Sequence, residues 1–252
     1  MADNTRKSKP RTPEESRRME QRRRRQKELK RRKRKRMLTM VLIIAALVVI
    51  FVLLGVLLYK LLDGGTKKIS AAGDTYVIAI DAGHGGEDLG MSSESSYEKD
   101  IDLAICEKLQ IMLETQGYEV VMLRSDDSYL SKDERVVLAN KSGADLLVSV
   151  HCNYSESDSE LCGVTATYSK GDKAAKTLAG NIVDKIVQES GAESLGASSG
   201  EYTILEDTDM TAVLVEVGYL SNASESASLE DDSYENDIAK GIAYGILASL
   251  AD

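Results

Sequence analysis

The sequence predicts an α/β domain with a mainly parallel sheet flanked by helices on both faces, preceded by a single transmembrane helix. Short apolar runs bounded by turn residues alternate with stretches of helical periodicity, as in repeated strand–helix units. The apolar runs are continuous rather than alternating, which is typical of strands buried on both sides. Ahead of them, residues 37–59 contain no charged residue, and a helix of that length spans a bilayer.

A basic segment precedes the predicted membrane helix. Residues 1–36 contain 18 Lys or Arg against 5 Asp or Glu, and such a flank stays on the cytoplasmic side of a membrane. We therefore expect a disordered cytoplasmic tail at 1–36, a transmembrane helix at 37–62 and a linker at 63–74. Residues 75–252 then form the folded domain on the other side. The chain is predicted to be a single-pass protein of the cell membrane, with its N-terminus in the cytoplasm.

The apolar stretch and the basic segment each allow a second interpretation. A cleaved secretory signal has an apolar core of about 7–15 residues, which is shorter than this one, although "SAAG" at 70–73 resembles a cleavage site. The run of arginines and lysines is also typical of nucleic-acid binding, but its position beside a membrane helix favours anionic lipid headgroups. We expect membrane lipid, and no nucleic acid, as a partner of this region.

Strands and helices follow one another through residues 75–252. The first long helix has an apolar stripe and stops at Gly117. The second begins with Ser131 and Glu134 in a capping-box pattern. The predicted strands cover 76–80, 118–123, 145–150, 163–168 and 212–217, and the predicted helices cover 98–117, 131–143, 172–190 and 233–251.

The chain has three cysteines, an odd number for a domain outside the cytoplasm. Cys106 lies on the apolar side of the first helix and is expected to be a core residue. Cys152 and Cys162 either pair or stay free, since spacing does not decide this. The sequence has no CxxC motif, so we expect no cysteine-rich structural zinc site.

Both histidines of the chain come directly after predicted strands. His84 follows "YVIAID", and His151 follows "DLLVSV". In open α/β sheets, sites are built at the carboxyl ends of the strands. Glycines at 83, 85 and 86 let the backbone turn there. Each histidine taken alone is also explained as a loop residue that forms a hydrogen bond with the nearby backbone. Together the two histidines favour a metal site, because imidazole is a common metal ligand.

A catalytic zinc needs a third protein ligand, and two His with one Glu are a frequent set. Glu98 is the best candidate, since it opens the helix after the His84 loop, and Glu87, Asp88 and Asp100 remain local alternatives. Hydrolysis also needs a proton acceptor. Glu216 lies in the apolar strand "AVLVEV", where a buried carboxylate requires a compensating partner. That partner is either a salt bridge or a water at the metal.

Four segments of the chain carry a resemblance to a known family. They are "AIDAGHGGEDLG", "YEKDIDLAICEKLQ", "LRSDDSYLSKDERVVLANKSGADLLVSVHCN" and "AVLVEVGYLSN". In this order and at these spacings they resemble the signatures of the zinc-dependent N-acetylmuramoyl-L-alanine amidases, in their type 3 catalytic domain. The resemblance runs from about Tyr76 to the C-terminus.

The resemblance implies that His84, Glu98 and His151 bind Zn²⁺ and that Glu216 is the catalytic acid and base. Asp81 or a backbone carbonyl would hold the second nitrogen of a ligand histidine. The implied substrate is peptidoglycan, and the bond is the amide between N-acetylmuramic acid and L-alanine of the stem peptide. The domain would then face the cell wall. A zinc carboxypeptidase acting on the stem peptide, or a catalytically silent anchored wall-binding protein, are the alternatives.

The chain departs from the family pattern at three positions and in one loop. Ala82 stands where proline is usual, Glu206 where arginine is frequent, and Thr211 where proline is common. The substitutions at 206 and 211 put any substrate contact there in doubt. The segment 154–163, which follows His151, is short, whereas some relatives carry an autoinhibitory helix near this position. We therefore expect an open site without an obligatory protein activator.

Overall fold

Six strands and six helices make up the part of the chain described by the computed structural model, residues 76–93 and 95–251. In chain order they are β1 (Val77–Ala82), α1 (Glu98–Thr115), β2 (Glu119–Met122), α2 (Lys132–Ser142), β3 (Leu146–Asn153), β4 (Val164–Tyr168), α3 (Lys173–Ser190), β5 (Ser194–Ser199), α4 (Thr203–Glu206), β6 (Thr211–Tyr219), α5 (Ala223–Leu229) and α6 (Asp232–Ala251). All the predicted strands and helices of the domain are present. The sequence did not predict β5, α4 or α5.

The predicted N-terminal segments fall outside the residues that the structure describes. These are the basic tail at 1–36, the membrane helix at 37–62 and the linker at 63–74. Within residues 76–93 and 95–251, no helix is both long and apolar enough to cross a membrane. The division of the N-terminal region therefore stays a prediction.

The strands form one mixed sheet in the order β2-β1-β3-β6-β4-β5. The pairs β2–β1, β1–β3, β3–β6 and β4–β5 are parallel, and β4 is antiparallel to β6. The prediction of a mainly parallel sheet is therefore confirmed. Because β4 runs in the opposite direction, its first residues lie beside the carboxyl end of β6, where Thr165 pairs with Glu216.

Helices cover both faces of the sheet, as the sequence predicted. On one face, strand residues such as Ile80, Val148 and Val215 pack against α1, α3 and α6. On the other, residues such as Leu147 and Leu214 pack against α2 and α4. Because the central strands are buried on both sides, their sequences are continuous apolar runs.

Two features predicted at the level of single residues are confirmed. Ser131 accepts a hydrogen bond from the Glu134 backbone N–H, and the Glu134 carboxylate accepts one from the Ser131 backbone N–H, which completes the capping box of α2. Cys106 is fully buried in the core. All three cysteines are free, so Cys152 and Cys162 do not pair.

The carboxyl ends of β1, β3 and β6 meet at one edge of the sheet. Asp81 pairs with Ser149 across β1 and β3, and His151 pairs with Glu216 across β3 and β6. The loop that follows Asp81 carries His84. This edge therefore brings together residues that are far apart in the sequence.

Candidate active site

The loop after β1 turns sharply and presents His84 at the sheet edge. His84 has a φ of 55°, and it is the one residue other than glycine with a positive φ in the described part of the chain. Such a conformation is uncommon for a side-chain-bearing residue and is often found at functional sites. Gly85, with a φ of 129°, follows it and exchanges two backbone hydrogen bonds with Asp88. The predicted bend is therefore confirmed.

His84, Glu98 and His151 converge on one point. Glu98 Oε1 lies 3.2 Å from His84 Nε2 and 3.1 Å from His151 Nδ1. The two imidazole rings are nearly perpendicular, with centroids 5.1 Å apart. Donor atoms held about 2.0–2.1 Å from a tetrahedral Zn²⁺ lie about 3.3 Å from one another. The two nitrogen–oxygen distances fit this spacing, so the three side chains could hold the metal.

Backbone hydrogen bonds hold the Glu98 carboxylate in one orientation. Its side chain is 3% exposed, and its two oxygens accept hydrogen bonds from the backbone N–H groups of Cys152 and Met91 at 3.0 and 2.7 Å. Burial alone would raise the pKa of Glu98, but its contacts with the two histidines lower it to about 2. It is therefore ionised at neutral pH. The alternatives Glu87 and Asp100 are exposed.

The residue that contacts the other nitrogen of His84 is Asp88. His84 Nδ1 lies 2.9 Å from Asp88 Oδ2, although the angle is poor and leaves Nδ1 without a hydrogen bond. Asp81, which was expected to hold a ligand histidine, instead binds Arg135 and accepts a hydrogen bond from Ser149 at 2.7 Å. The expectation for Asp81 is wrong, because its side chain points to α2.

Two buried arginines donate hydrogen bonds to the backbone carbonyls of the His84 loop. Arg135 donates to the Asp81 carboxylate and to the carbonyls of Ala82 and His84. Arg124 donates to the carbonyls of Ala82 and Gly83 at 2.9 and 2.6 Å. Both side chains are at most 8% exposed. They satisfy loop carbonyls that would otherwise be buried without partners.

Gly83 is packed closely against this site. We therefore expect Gly83→Ala to lower the free energy of unfolding by about 1–3 kcal/mol and to weaken zinc binding by about tenfold. A Cβ at position 83 would lie 2.5 Å from His151 Nδ1 and 2.6 Å from Asp102 Oδ2. Zinc titration and urea unfolding measure the two effects. In the control Gly180→Ala, the new Cβ has no neighbour within 4 Å in α3, so stability should be unchanged or higher. Equal zinc affinity in Gly83→Ala and the unmodified chain would contradict the expectation.

Glu216 stands beside the histidine–glutamate cluster without an ion pair among the described residues. It is the neighbour of His151 on the adjacent strand and is half-buried. Burial raises the pKa of Glu216, and His151 only partly opposes this. A carboxylate with a raised pKa next to a metal site is suited to proton transfer.

These residues lie in one cleft with a volume of about 570 Å³. Exposed tyrosines at 129, 154 and 202 stand on its walls, together with Asn153 and Lys132. Asn153 is the last residue of β3, two residues after His151. The sequence had not indicated the tyrosines or Lys132.

Comparison with known proteins identifies the family. The family model described as N-acetylmuramoyl-L-alanine amidase matches residues 78–248, which is more than half of the chain. The chain belongs to the N-acetylmuramoyl-L-alanine amidase family. Members of this family are enzymes, and so is this chain.

Two relatives have sequences similar to this chain, and one of them, LytC, is an amidase. The chain is 34% identical over 172 residues to YqiI of Bacillus subtilis, covering 67% of this chain and 82% of YqiI. It is 32% identical over 173 residues to the amidase LytC of the same organism, covering 67% of this chain but 35% of LytC.

Two solved amidase structures share the fold. The N-acetylmuramoyl-L-alanine amidase from Clostridium difficile 630 is 35% identical, with a TM-score of 0.69, and the match covers 71% of this chain and 99% of that one. The CwlD amidase from Clostridioides difficile, solved in complex with the GerS lipoprotein, is 31% identical, with a TM-score of 0.66, and the match covers 70% and 99%.

Two of the three departures from the amidase pattern lie away from the metal cluster, and the third, Ala82, ends β1 two residues before His84. Glu206 is exposed at the end of α4 and does not line the cleft. Thr211 is the first residue of β6, at the opposite end of that strand from Glu216. Ala82 is buried, and its carbonyl is held by the two arginines. None of these substitutions disturbs the four residues at the centre of the site.

Proposed function

We propose that this chain is a zinc-dependent amidase that hydrolyses the bond between N-acetylmuramic acid and L-alanine of the peptidoglycan stem peptide. The observation that carries the proposal is the convergence of His84, Glu98 and His151 beside Glu216. Two imidazoles and one carboxylate form a donor set of catalytic zinc sites. The substrate and the bond come from the family to which the chain belongs.

The residues of the site have distinct roles in this reaction. Zn²⁺ held by such a donor set polarises an amide carbonyl and lowers the pKa of water. His84, Glu98 and His151 would hold it, with Glu98 fixed by backbone N–H groups. Glu216 accepts a proton from the attacking water and donates it to the amine of L-alanine as the C–N bond breaks. Burial raises the pKa of Glu216, which makes its carboxylate a stronger proton acceptor.

We also propose that the N-terminal region anchors the enzyme as a single-pass protein of the cell membrane. The uncharged run at 37–59 and the basic flank at 1–36 support this. The N-terminus would lie in the cytoplasm and the catalytic domain would face the cell wall, with membrane lipid as a partner. Recovery of the full chain in the soluble fraction after cell breakage would contradict the anchor.

The proposed enzyme works without an obligatory protein activator. The segment 154–163 between β3 and β4 is short, and the cleft beside it is open. The CwlD relative was solved with a lipoprotein partner, so the comparison leaves a partner open for this chain. A purified chain with zinc that stays inactive on peptidoglycan until a cell extract is added would contradict this part of the proposal.

The test of the proposed function is incubation of the full chain with purified peptidoglycan, followed by mass analysis of the released products. We expect intact stem peptides with free L-alanine amino termini. A chelator should abolish their release, and added Zn²⁺ should restore it. Stem peptides shortened only at their carboxyl ends would indicate a carboxypeptidase, and zinc binding without any product would indicate a catalytically silent wall-binding protein.

A further inference from the structure

A second groove opens beside Glu216, on the part of the sheet formed by β4 and β5. Its volume is about 410 Å³. It adjoins the catalytic cleft, because Asn153, Tyr202 and Glu216 line both. A substrate whose scissile bond lies at Glu216 would therefore extend into this groove on one side.

The groove exists because the helices on this face stop short of β4. Across the antiparallel pair, Thr165 is the partner of Glu216 and Thr167 is the partner of Leu214, so all four side chains share a face. Leu214 is buried under α2 and α4. Further along the same face, Ser198 of β5 is the partner of Thr167 and is exposed. Thr165 is half-buried and Ser198 is exposed, whereas Thr167 is largely buried.

The groove is lined mainly by hydroxyl groups, and we call it the hydroxyl groove. It contains Thr165, Thr167, Ser198, Ser199, Tyr202 and Tyr219. Among the described residues that line it, Glu216 alone is charged. Hydroxyls both donate and accept hydrogen bonds, and tyrosine offers a flat apolar ring with a polar tip. An uncharged ligand with many hydroxyl and amide groups and flat apolar faces matches this lining, and a saccharide has these properties.

Charge distinguishes the hydroxyl groove from the opposite arm of the cleft. The one charged side chain among the described residues that line the groove is the carboxylate of Glu216, and burial more than this charge raises the pKa of Tyr202 and of Tyr219. A ligand bearing carboxylates is disfavoured there. The opposite arm contains the exposed Lys132, at the start of α2, beside Tyr129. A cation at that position favours an acidic ligand.

We propose that the hydroxyl groove binds the uncharged sugar rings of the glycan strand, and that the Lys132 arm takes the acidic stem peptide. This rests on the proposed function and adds the direction in which the substrate lies across the site. The scissile amide then spans the boundary between the two arms, next to Glu216. Thr165, whose hydroxyl donates to the Gly196 carbonyl at 2.9 Å, keeps its oxygen free to accept a hydrogen bond from a sugar.

The test uses the full chain with Ser198→Trp, which fills the groove with a large ring. The matched control is Ala197→Trp, at the neighbouring exposed residue of β5 that does not line the groove. Two substrates are compared, a disaccharide–tripeptide and a lactyl-tripeptide without sugar. We expect Ser198→Trp to lower kcat/KM about tenfold for the first substrate only, and the control to change neither. An equal loss on both substrates, or no loss, would overturn the proposal.

A binding measurement separates this proposal from the proposed function, because it needs no turnover. Calorimetric titration with tri-N-acetylchitotriose, an uncharged sugar oligomer, should give equal affinity for the unmodified chain and for Ala197→Trp. Ser198→Trp should bind about tenfold more weakly, and Ser198→Val replaces it if the tryptophan variant does not fold. Undiminished chitotriose binding overturns the proposal. Binding in the groove without release of stem peptides contradicts the amidase function alone.

Discussion

Glu216→Gln is expected to lower kcat/KM on peptidoglycan by about 10³-fold or more, while zinc stays bound. Glutamine keeps the size and shape of the side chain, but its amide neither accepts the proton of the attacking water nor returns it to the leaving amine. Glu216 has no ion pair to lose among the described residues, and burial already disfavours its charge. The variant should therefore fold as the unmodified chain does. Product release and the zinc content of the purified protein are the two measurements.

Glu201→Gln is the matched control for this variant. Glu201 also lines the cleft, but it is exposed and lies away from the metal cluster in sequence. Its activity should stay within about twofold of the unmodified chain, as for most surface substitutions. If Glu216→Gln retains more than about a tenth of the activity, proton transfer by Glu216 is refuted. A variant that loses its zinc would instead assign Glu216 a role in metal binding.

The centre of the site was predictable because its residues follow directly from strand positions. His84 and His151 were expected at one edge of the sheet from the carboxyl ends of their strands, and the register now brings His151 beside Glu216. Glu98 was preferred over its neighbours because it opens a helix that follows the His84 loop. The structure buries Glu98 and exposes Glu87 and Asp100. Periodicity and parallel topology predicted the edge at which the residues meet, and the family resemblance selected Glu98 from the nearby carboxylates.

The buried ion pair that holds the His84 loop was not predictable in the same way, because it depends on tertiary contacts. Arg135 is a charged residue of α2 that the sequence gives no partner, yet it is buried beside Ala139 and binds Asp81 and the His84 carbonyl. Asp81 was for this reason assigned to the wrong partner. A carboxylate can bind a histidine or an arginine equally well, and only the packing of α2 on the sheet decides between them.

The strand β5 was missed for a related reason. Its sequence SLGASS contains one large apolar residue, Leu195, which is exposed, and nearly every side chain of the strand is exposed. An edge strand with an uncovered face has no apolar run to reveal it. The same property creates the hydroxyl groove, so the element that the pattern could not predict is the one that gives this chain its second binding surface.

Arg135→Met is expected to lower the free energy of unfolding by about 3–5 kcal/mol, because it leaves the Asp81 carboxylate buried without its ion-pair partner. Asp81 is 1% exposed and would retain one hydrogen bond, from Ser149. The His84 carbonyl would also lose its donor. Since the loop that presents His84 is held by this arginine, zinc affinity should fall by about tenfold or more. Urea unfolding and zinc titration of the full chain measure the two losses.

A double-mutant cycle with Asp81→Asn separates the ion pair from the loss of loop hydrogen bonds. In Asp81→Asn/Arg135→Met both charges of the ion pair are removed and neither is left buried without its partner, so about half of the lost stability should return, while zinc affinity stays low because the His84 carbonyl remains without its donor. Arg124→Met is the control, since Arg124 donates to backbone carbonyls and not to a carboxylate. Asp81→Asn should give it no rescue. Equal rescue of both arginine variants would mean that Asp81 strains the fold by itself, and that the buried ion pair does not hold the His84 loop.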